Sequence, residues 1–247
     1  MYKYLFENKK AALFDLEGTI IDTEDLWTQA FRAVLKNLKI DWVSPSTYFI
    51  YGTSVYDFWE RLISGEKQNV KMDLTVQQLV DETYKYFLQQ LKLSDIDVIE
   101  GFWSIARELK LDNKLTIGLV TNTYKKIADV ILEKIGAKEI FDLKIYADDV
   151  KKLKPDPEIY KKALNQLKIA NKEAVVFEDS VAGSDAAVRA DIDTIVVLKD
   201  TVYKDRYSLK IKEFIPDYVP MIGTTQKTPK EYTAETLARI KQSIQVS

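Results

Sequence analysis

Four short apolar runs punctuate the chain: Ala11–Asp15, Leu115–Val120, Ala174–Phe177 and Ile192–Leu198. Each is strand-sized and nearly continuous in apolar residues, as strands buried on both faces are. Between and after them the pattern changes to helical spacing. Leu26, Trp27, Ala30, Phe31, Val34, Leu35 and Leu38 recur every three or four residues, with Thr23 placed to cap the helix they predict. A break at Ser44-Pro45-Ser46 precedes a second helix near Val55–Ile63, and Leu79, Tyr84, Phe87, Leu88 and Leu91 mark a third over Thr75–Leu91. No strand pattern occurs from Asp22 to Leu93. From Glu100 onward helices and strands alternate. Gly101–Lys110 reads as helix, a helix ends near Ile135 with Gly136 as its stop, Leu143–Ala147 reads as a short strand, and another helix runs to Arg189. Lys154-Pro155-Asp156-Pro157 is a rigid turn, with Asp156 as cap and Pro157 in the first turn of the next helix. Such alternation predicts a doubly wound parallel α/β sheet, residues 1–21 and 95–220, interrupted by an all-helical insertion, residues 22–94. Residues 221–247 form a polar tail, with a short helix predicted at Ala234–Ile244.

Composition narrows the chemistry. The 247 residues include no Cys and no His, which excludes disulfides, thiolate metal sites, Cys nucleophiles and imidazole catalysis. Carboxylate, hydroxyl, Lys and hard-cation chemistry remain. The formal net charge of −2 gives no reason to expect nucleic acid or a membrane surface as partner. The N-terminus lacks a signal-peptide apolar core, so a cytoplasmic location is the expectation.

Reactive groups sit at the ends of the predicted strands: Asp15 and Glu17, Thr121 and Asn122, Glu178 and Asp179, with Lys154 in the rigid turn. In a parallel sheet these ends share one edge, where ligands bind. Carboxylates converging there repel, by roughly 4 kcal/mol per pair at ~4 Å and an effective dielectric near 20. Lys154 offsets one charge. A hard dication with oxygen ligands, Mg²⁺ beside phosphate, offsets the others. Phe14, Val120 and Phe177 read as core, as do most of the aromatics of the helical insertion; Trp27 or Tyr51 is the candidate there for a pocket lining. Asp22 and Glu24 read as helix-start acids, and Asp149 as a surface acid or a partner that orients Lys154. The clustered Lys pairs read as solvated faces.

Four motifs, in order, resemble the haloacid dehalogenase (HAD) superfamily in its helical-cap branch. They are Phe14-Asp15-Leu16-Glu17-Gly18-Thr19, Leu119-Val120-Thr121-Asn122-Thr123, Lys154-Pro155-Asp156-Pro157-Glu158 and Phe177-Glu178-Asp179-Ser180 with Val181–Ala187 after it. The resemblance, over residues 10–200, implies a HAD-like Rossmannoid core with a cap and a Mg²⁺-dependent phosphomonoester hydrolase. Asp15 would attack phosphorus and form an aspartyl-phosphate. Glu17 would act as acid and then base, with its backbone carbonyl on the metal. Asp179, Glu178 and Asp15 would complete the metal site. Thr121, Asn122 and Lys154 would bind the substrate, a small phosphorylated metabolite. Gly18 would supply a tight bend or a close backbone approach.

The chain departs from the family at two places. Position 17 is usually Asp in the phosphatases; Glu carries its carboxyl one methylene further out, where a shift near 1 Å can cost on the order of 100-fold in rate. Arg189-Ala190-Asp191 stands where Ala-Gly is common, with no functional account from the sequence. A 2-haloacid dehalogenase, which usually lacks the second acid, is one alternative. A sugar phosphomutase is another, weakened by Trp27 where that mutase has His and by the missing Arg in Tyr51–Asp57, though Arg61 lies one turn on. A non-catalytic HAD-like binding protein is the third. Substrate identity and oligomeric state are not legible.

Overall fold

A computed structural model describes residues 2–40, 55–64 and 74–224. The expected break at residues 44–46, the role of Tyr51 and the tail helix at 234–244 lie outside them. In chain order the elements are β1 (Ala11–Phe14), β2 (Ile21–Asp22), α1 (Glu24–Asn37), α2 (Val55–Ser64), α3 (Val76–Leu93), β3 (Asp97–Val98), α4 (Phe102–Arg107) and β4 (Thr116–Val120). There follow α5 (Lys125–Lys134), β5 (Leu143–Ile145), α6 (Glu158–Leu167), β6 (Ala174–Glu178), α7 (Val181–Arg189), β7 (Asp193–Val197) and β8 (Glu213–Ile215). The chain divides into two compact units, Met1–Asp22 with Asp97–Ser247, and Thr23–Ile96.

The α/β unit is a six-stranded parallel sheet in the order β5-β4-β1-β6-β7-β8. From β1 the chain winds outward through β4 to β5; from β6 it winds the other way through β7 to β8. The sheet therefore reverses at the β1/β6 pair, the point at which α/β sheets place their ligands. Phe14 is level with both Leu119 and Phe177, so β1, β4 and β6 end together. Every residue of β1 and β6 is buried, the reason these strands read as continuous apolar runs. On one face Phe14 stacks on Phe177, with centroids 4.5 Å apart, and Phe102 and Tyr218 pack against the pair. On the other face Leu13 and Val176 meet Ile159, Tyr160 and Ala163 of α6 and Ala186 and Ala187 of α7.

Three short strands escaped the sequence reading. β8 has three residues, and β2 and β3 have two each and pair antiparallel; segments this short carry no period to detect. Asp22 ends β2, one residue ahead of the α1 cap position, and pairs with Lys199 at 2.6 Å, while Glu24 lies in the first turn of α1. Thr23 precedes α1 but makes no side-chain cap bond. The helix expected over Gly101–Lys110 is α4 up to Arg107, then a π-turn over Glu108–Asp112, with Asn113 N–H donating to Glu108 O at 3.0 Å. Asp191 takes φ +58°, the left-handed region in which a Gly at this place is at ease.

The helical unit has its own core. The apolar stripe of α1 supplies Phe31, Val34 and Leu35, α2 supplies Val55, Phe58, Trp59 and Leu62, and α3 supplies Leu79 and Val80. Thr75 opens α3 with a reciprocal capping box to Gln78. The buried indole of Trp59 donates to Thr83 Oγ1 at 2.9 Å. Trp27 stacks on Phe87 at 3.7 Å and meets Tyr84 edge-on, within this unit. Among the described residues no helix is long and apolar enough to cross a membrane.

Phe58 is fully buried between Phe31 and Trp59. Phe58→Ala is expected to destabilise the protein by about 3–5 kcal/mol, measured by urea denaturation; a loss below about 1 kcal/mol would contradict a packed helical core here.

Candidate active site

The site is assembled where the three central strands end. Beyond β1, Asp15 N–H continues the ladder onto Phe177 O at 3.0 Å, which fixes the backbone from which the Asp15 side chain departs. Leu16 turns into the core, fully buried. The loop then folds back, with Ile20 N–H on Leu16 O at 2.8 Å and Gly18 N–H on Ile21 O at 2.7 Å. Gly18 has φ +82°, and a Cβ there would lie 2.1 Å from Asp179 Oδ2. Both reasons given for a glycine, bend and close approach, hold at this one position.

Lys154 occupies the centre. Its side chain is 3% exposed, and its ammonium donates to Asp15 Oδ1 at 2.6 Å, Glu178 Oε1 at 2.6 Å and Val120 O at 2.8 Å. An ammonium has three hydrogens, and each finds an acceptor, one from each of the strand ends β1, β6 and β4. The Tyr160 ring lies 5.2 Å from the ammonium, and the Tyr160 hydroxyl donates to Glu178 Oε1 at 2.8 Å. Glu178 Oε2 accepts from Asp179 N–H at 3.3 Å and Ser180 Oγ at 3.2 Å. Gly183 leaves room for this carboxylate, since a Cβ would come within 1.9 Å of Glu178 Oε1. Asn122 holds the backbone of Lys154 on both sides: Oδ1 accepts from Lys154 N–H at 3.1 Å and Nδ2 donates to Lys154 O at 3.3 Å. Arg189 Nη1 donates to the next carbonyl, Pro155 O, at 3.2 Å.

Asp179 completes the acidic group. Thr19 donates to its Oδ1 at 3.1 Å, and Tyr207 donates to its backbone carbonyl. Asp15, Glu178 and Asp179 each offer an oxygen within 4.8 Å of the others. Burial pushes Asp15 up to about 7; Lys154 opposes the shift, and Glu178 and Glu17 add to it. Burial, then Asp15 and Glu178, hold Asp179 well above the usual carboxylate range. Burial pulls Lys154 down, but the two carboxylates outweigh it and the net direction is up, so the ammonium stays charged. Three carboxyl groups thus face one ammonium, and the excess negative charge calls for protons or a further cation. A donor set made only of carboxylate oxygens fits a hard dication such as Mg²⁺.

Glu17 and Thr121 belong to a second network. Thr121 N–H donates to Ile145 O at 3.0 Å, extending β4 along β5. Thr121 Oγ1 donates to Thr123 Oγ1 at 3.1 Å, and Thr123 Oγ1 donates to Glu17 Oε1 at 2.7 Å. The structure therefore brings Asp15, Lys154, Glu178 and Asp179 into one cluster, joins Glu17 to Thr121 through Thr123, and engages the Asn122 amide with the Lys154 backbone. Asp149 does not orient Lys154: its carboxylate accepts from Tyr146 N–H at 2.9 Å and lies 3.6 Å from Lys162 Nζ. Thr123 and Tyr160 were assigned no role from the sequence. Tyr160 could have been found as the one hydroxyl-bearing side chain on the buried face of α6 beside Ile159, Ala163 and Leu164, because a buried phenol needs a partner.

The folded Asp15 binds its proton more tightly than an unfolded Asp, so between about pH 4 and about pH 7 the metal-free folded protein holds a proton that the unfolded chain has lost. Stability from this group is greatest below that window and falls as pH rises through it. In EDTA, melting of the protein and of Asp15→Asn, which cannot titrate, is expected to show the native protein losing ground to the variant from pH 4 to 7. A pH-independent difference would refute the shift.

The comparisons with known proteins agree with this geometry. The model of the haloacid dehalogenase-like hydrolase family matches residues 12–197. A phosphorylated carbohydrates phosphatase of Thermotoga maritima is 28% identical over 186 residues, 75% of this chain and 83% of the relative. The validoxylamine A 7'-phosphate phosphatase of Streptomyces hygroscopicus subsp. limoneus is 30% identical over 194 residues, 74% of this chain and 83% of the relative. Among solved structures, CbbY from Rhodobacter sphaeroides in complex with phosphate shares the fold, with a TM-score of 0.75 and 24% identity over 86% of this chain and 96% of that one. With strand order, acidic cluster and family model in agreement, the chain belongs to the haloacid dehalogenase-like hydrolases.

Proposed function

We propose that the chain is a Mg²⁺-dependent phosphomonoester hydrolase that acts on a small phosphorylated metabolite through an aspartyl-phosphate. The observation that carries this reading is the buried Lys154 ammonium bonded to both Asp15 and Glu178, with Asp179 beside them. Lys154 grips Asp15 by Oδ1, so Oδ2 is the oxygen presented to phosphorus. In the first step that oxygen bonds to phosphorus, the bond to the ester oxygen breaks, and Glu17 gives the departing oxygen a proton. In the second, Glu17 takes a proton from water, the water oxygen bonds to phosphorus, and the aspartyl bond breaks to release phosphate. Thr121 holds a phosphoryl oxygen, and Lys154 balances charge on the nucleophile side. Asn122 serves this chemistry by holding the Lys154 backbone.

Asp15, Glu178, Asp179 and the Glu17 backbone carbonyl would hold Mg²⁺, which when bound supplies positive charge against the phosphoryl oxygens. Phosphoryl transfer depends mostly on such positioning and electrostatics. The names of the relatives, a phosphatase of phosphorylated carbohydrates and one of a validoxylamine phosphate, support a phosphorylated carbohydrate as the first substrate class to test. Glu17 supports phosphatase over dehalogenase, because halide departs without needing a proton donor.

The test is a panel of p-nitrophenyl phosphate and sugar phosphates, assayed with Mg²⁺ and with EDTA. Turnover is expected only with Mg²⁺, none with Asp15→Asn, and about 100-fold or more below the native rate with Glu17→Gln. Glu17→Asp is expected to preserve or raise the rate. Metal-independent turnover, activity surviving Asp15→Asn, or halide release from 2-haloacids would overturn this assignment.

A further inference from the structure

The acid at position 17 is longer than the Asp usual there, and a longer side chain brings more rotamers to restrain and a carboxyl further from its backbone. We propose that Thr123 is the positioning residue that holds this long acid in place, through a hydroxyl relay that starts on Thr121. This inference rests on the phosphatase reading and deepens it.

The relay has a defined direction. Each threonine hydroxyl has one hydrogen to donate. Thr121 Oγ1 donates to Thr123 Oγ1 at 3.1 Å, and Thr123 Oγ1 donates to Glu17 Oε1 at 2.7 Å. Thr123 N–H in turn donates to Thr121 Oγ1 at 3.1 Å, so the first hydroxyl is held from both sides. Both threonines are buried. Their backbones are tied to the end of β5 and the turn after it, Thr121 N–H to Ile145 O at 3.0 Å and Thr123 O to Ala147 N–H at 3.2 Å. Glu17 is therefore registered against the sheet edge next to β4 as well as against its own loop. Thr suits the task because its branched Cβ stiffens χ1. The relay starts on the residue proposed to hold the phosphoryl group: when a phosphoryl oxygen takes the single Thr121 hydroxyl hydrogen, Thr123 N–H still holds Thr121 Oγ1 and Thr123 keeps its own hydroxyl hydrogen on Glu17, so the acid stays in register with the phosphate site. An Asp at position 17, one methylene shorter, would fall short of Thr123, which makes this contact a counterpart of the departure at position 17.

A misplaced acid harms most those substrates whose leaving group needs a proton. The test measures kcat/KM for a series of aryl and alkyl phosphates ordered by leaving-group basicity, because kcat/KM reports cleavage of the ester bond. Thr123→Val removes the hydroxyl at nearly constant shape, and Thr123→Ser keeps it. Thr123→Val is expected to cost about threefold or less with p-nitrophenyl phosphate and about 10- to 100-fold with alkyl phosphates, a steeper leaving-group dependence. Thr123→Ser should restore the native slope. In a Glu17→Asp background the effect of Thr123→Val should shrink to about threefold or less across the series. Melting temperatures report folding, and Thr123→Ala replaces Thr123→Val if the latter melts early. Equal losses across the series, or an undiminished loss in the Glu17→Asp background, would overturn the positioning role. Failure of the phosphatase reading has a different signature, activity that survives Asp15→Asn or a native protein inert on every phosphate.

Discussion

A buried ammonium must be met on every side, and this constraint organises the α/β unit. Lys154 reaches Asp15, Glu178 and Val120 O, the ends of three adjacent strands. Removing one partner of a buried pair costs about 3–5 kcal/mol, because the charge left behind has no solvent to turn to. The strand order β4-β1-β6 is what makes three partners available at one point. Asn122 and Arg189 fasten the turn that delivers the lysine, and Tyr160 fastens the carboxylate that receives it. The cluster still carries more acid than base, and that imbalance raises Asp15 and Asp179. A dication would relieve the same imbalance, so the electrostatic cost of the apo site and its fit to a metal have one origin.

Around this cluster two glycines matter for what they lack. Gly18 and Gly183 each stand where a Cβ would overlap an acidic side chain, Asp179 in one case and Glu178 in the other. The carboxylates pack against bare backbone, which lets a loop and a helix approach them closely. The second network, from Thr121 through Thr123 to Glu17, is made of neutral hydroxyls and one carboxyl. It separates the task of orienting an acid from the task of balancing charge, which Lys154 performs.

The amino-acid pattern by itself determined the kind of sheet, the helical insertion, and the residues gathered at the strand ends, because strand burial and helix periodicity are local properties of the chain. The family resemblance marked position 17 and Arg189-Ala190-Asp191 as departures. Short elements were beyond the reach of the pattern: β8 and the β2/β3 pair are held by partners distant in sequence, and two or three residues carry no period. The Asp22–Lys199 ion pair escaped it for the same reason, since the fold joins residues 177 apart in sequence. Only the tertiary structure decided which strand-end groups share a proton or a charge. It put Tyr160 on Glu178, gave Asn122 to the Lys154 backbone, and set Thr123 between Thr121 and Glu17. Hydrogen bonds of this kind span 106 residues in the case of Thr123 and Glu17, and they depend on strand order and register, which no local pattern encodes.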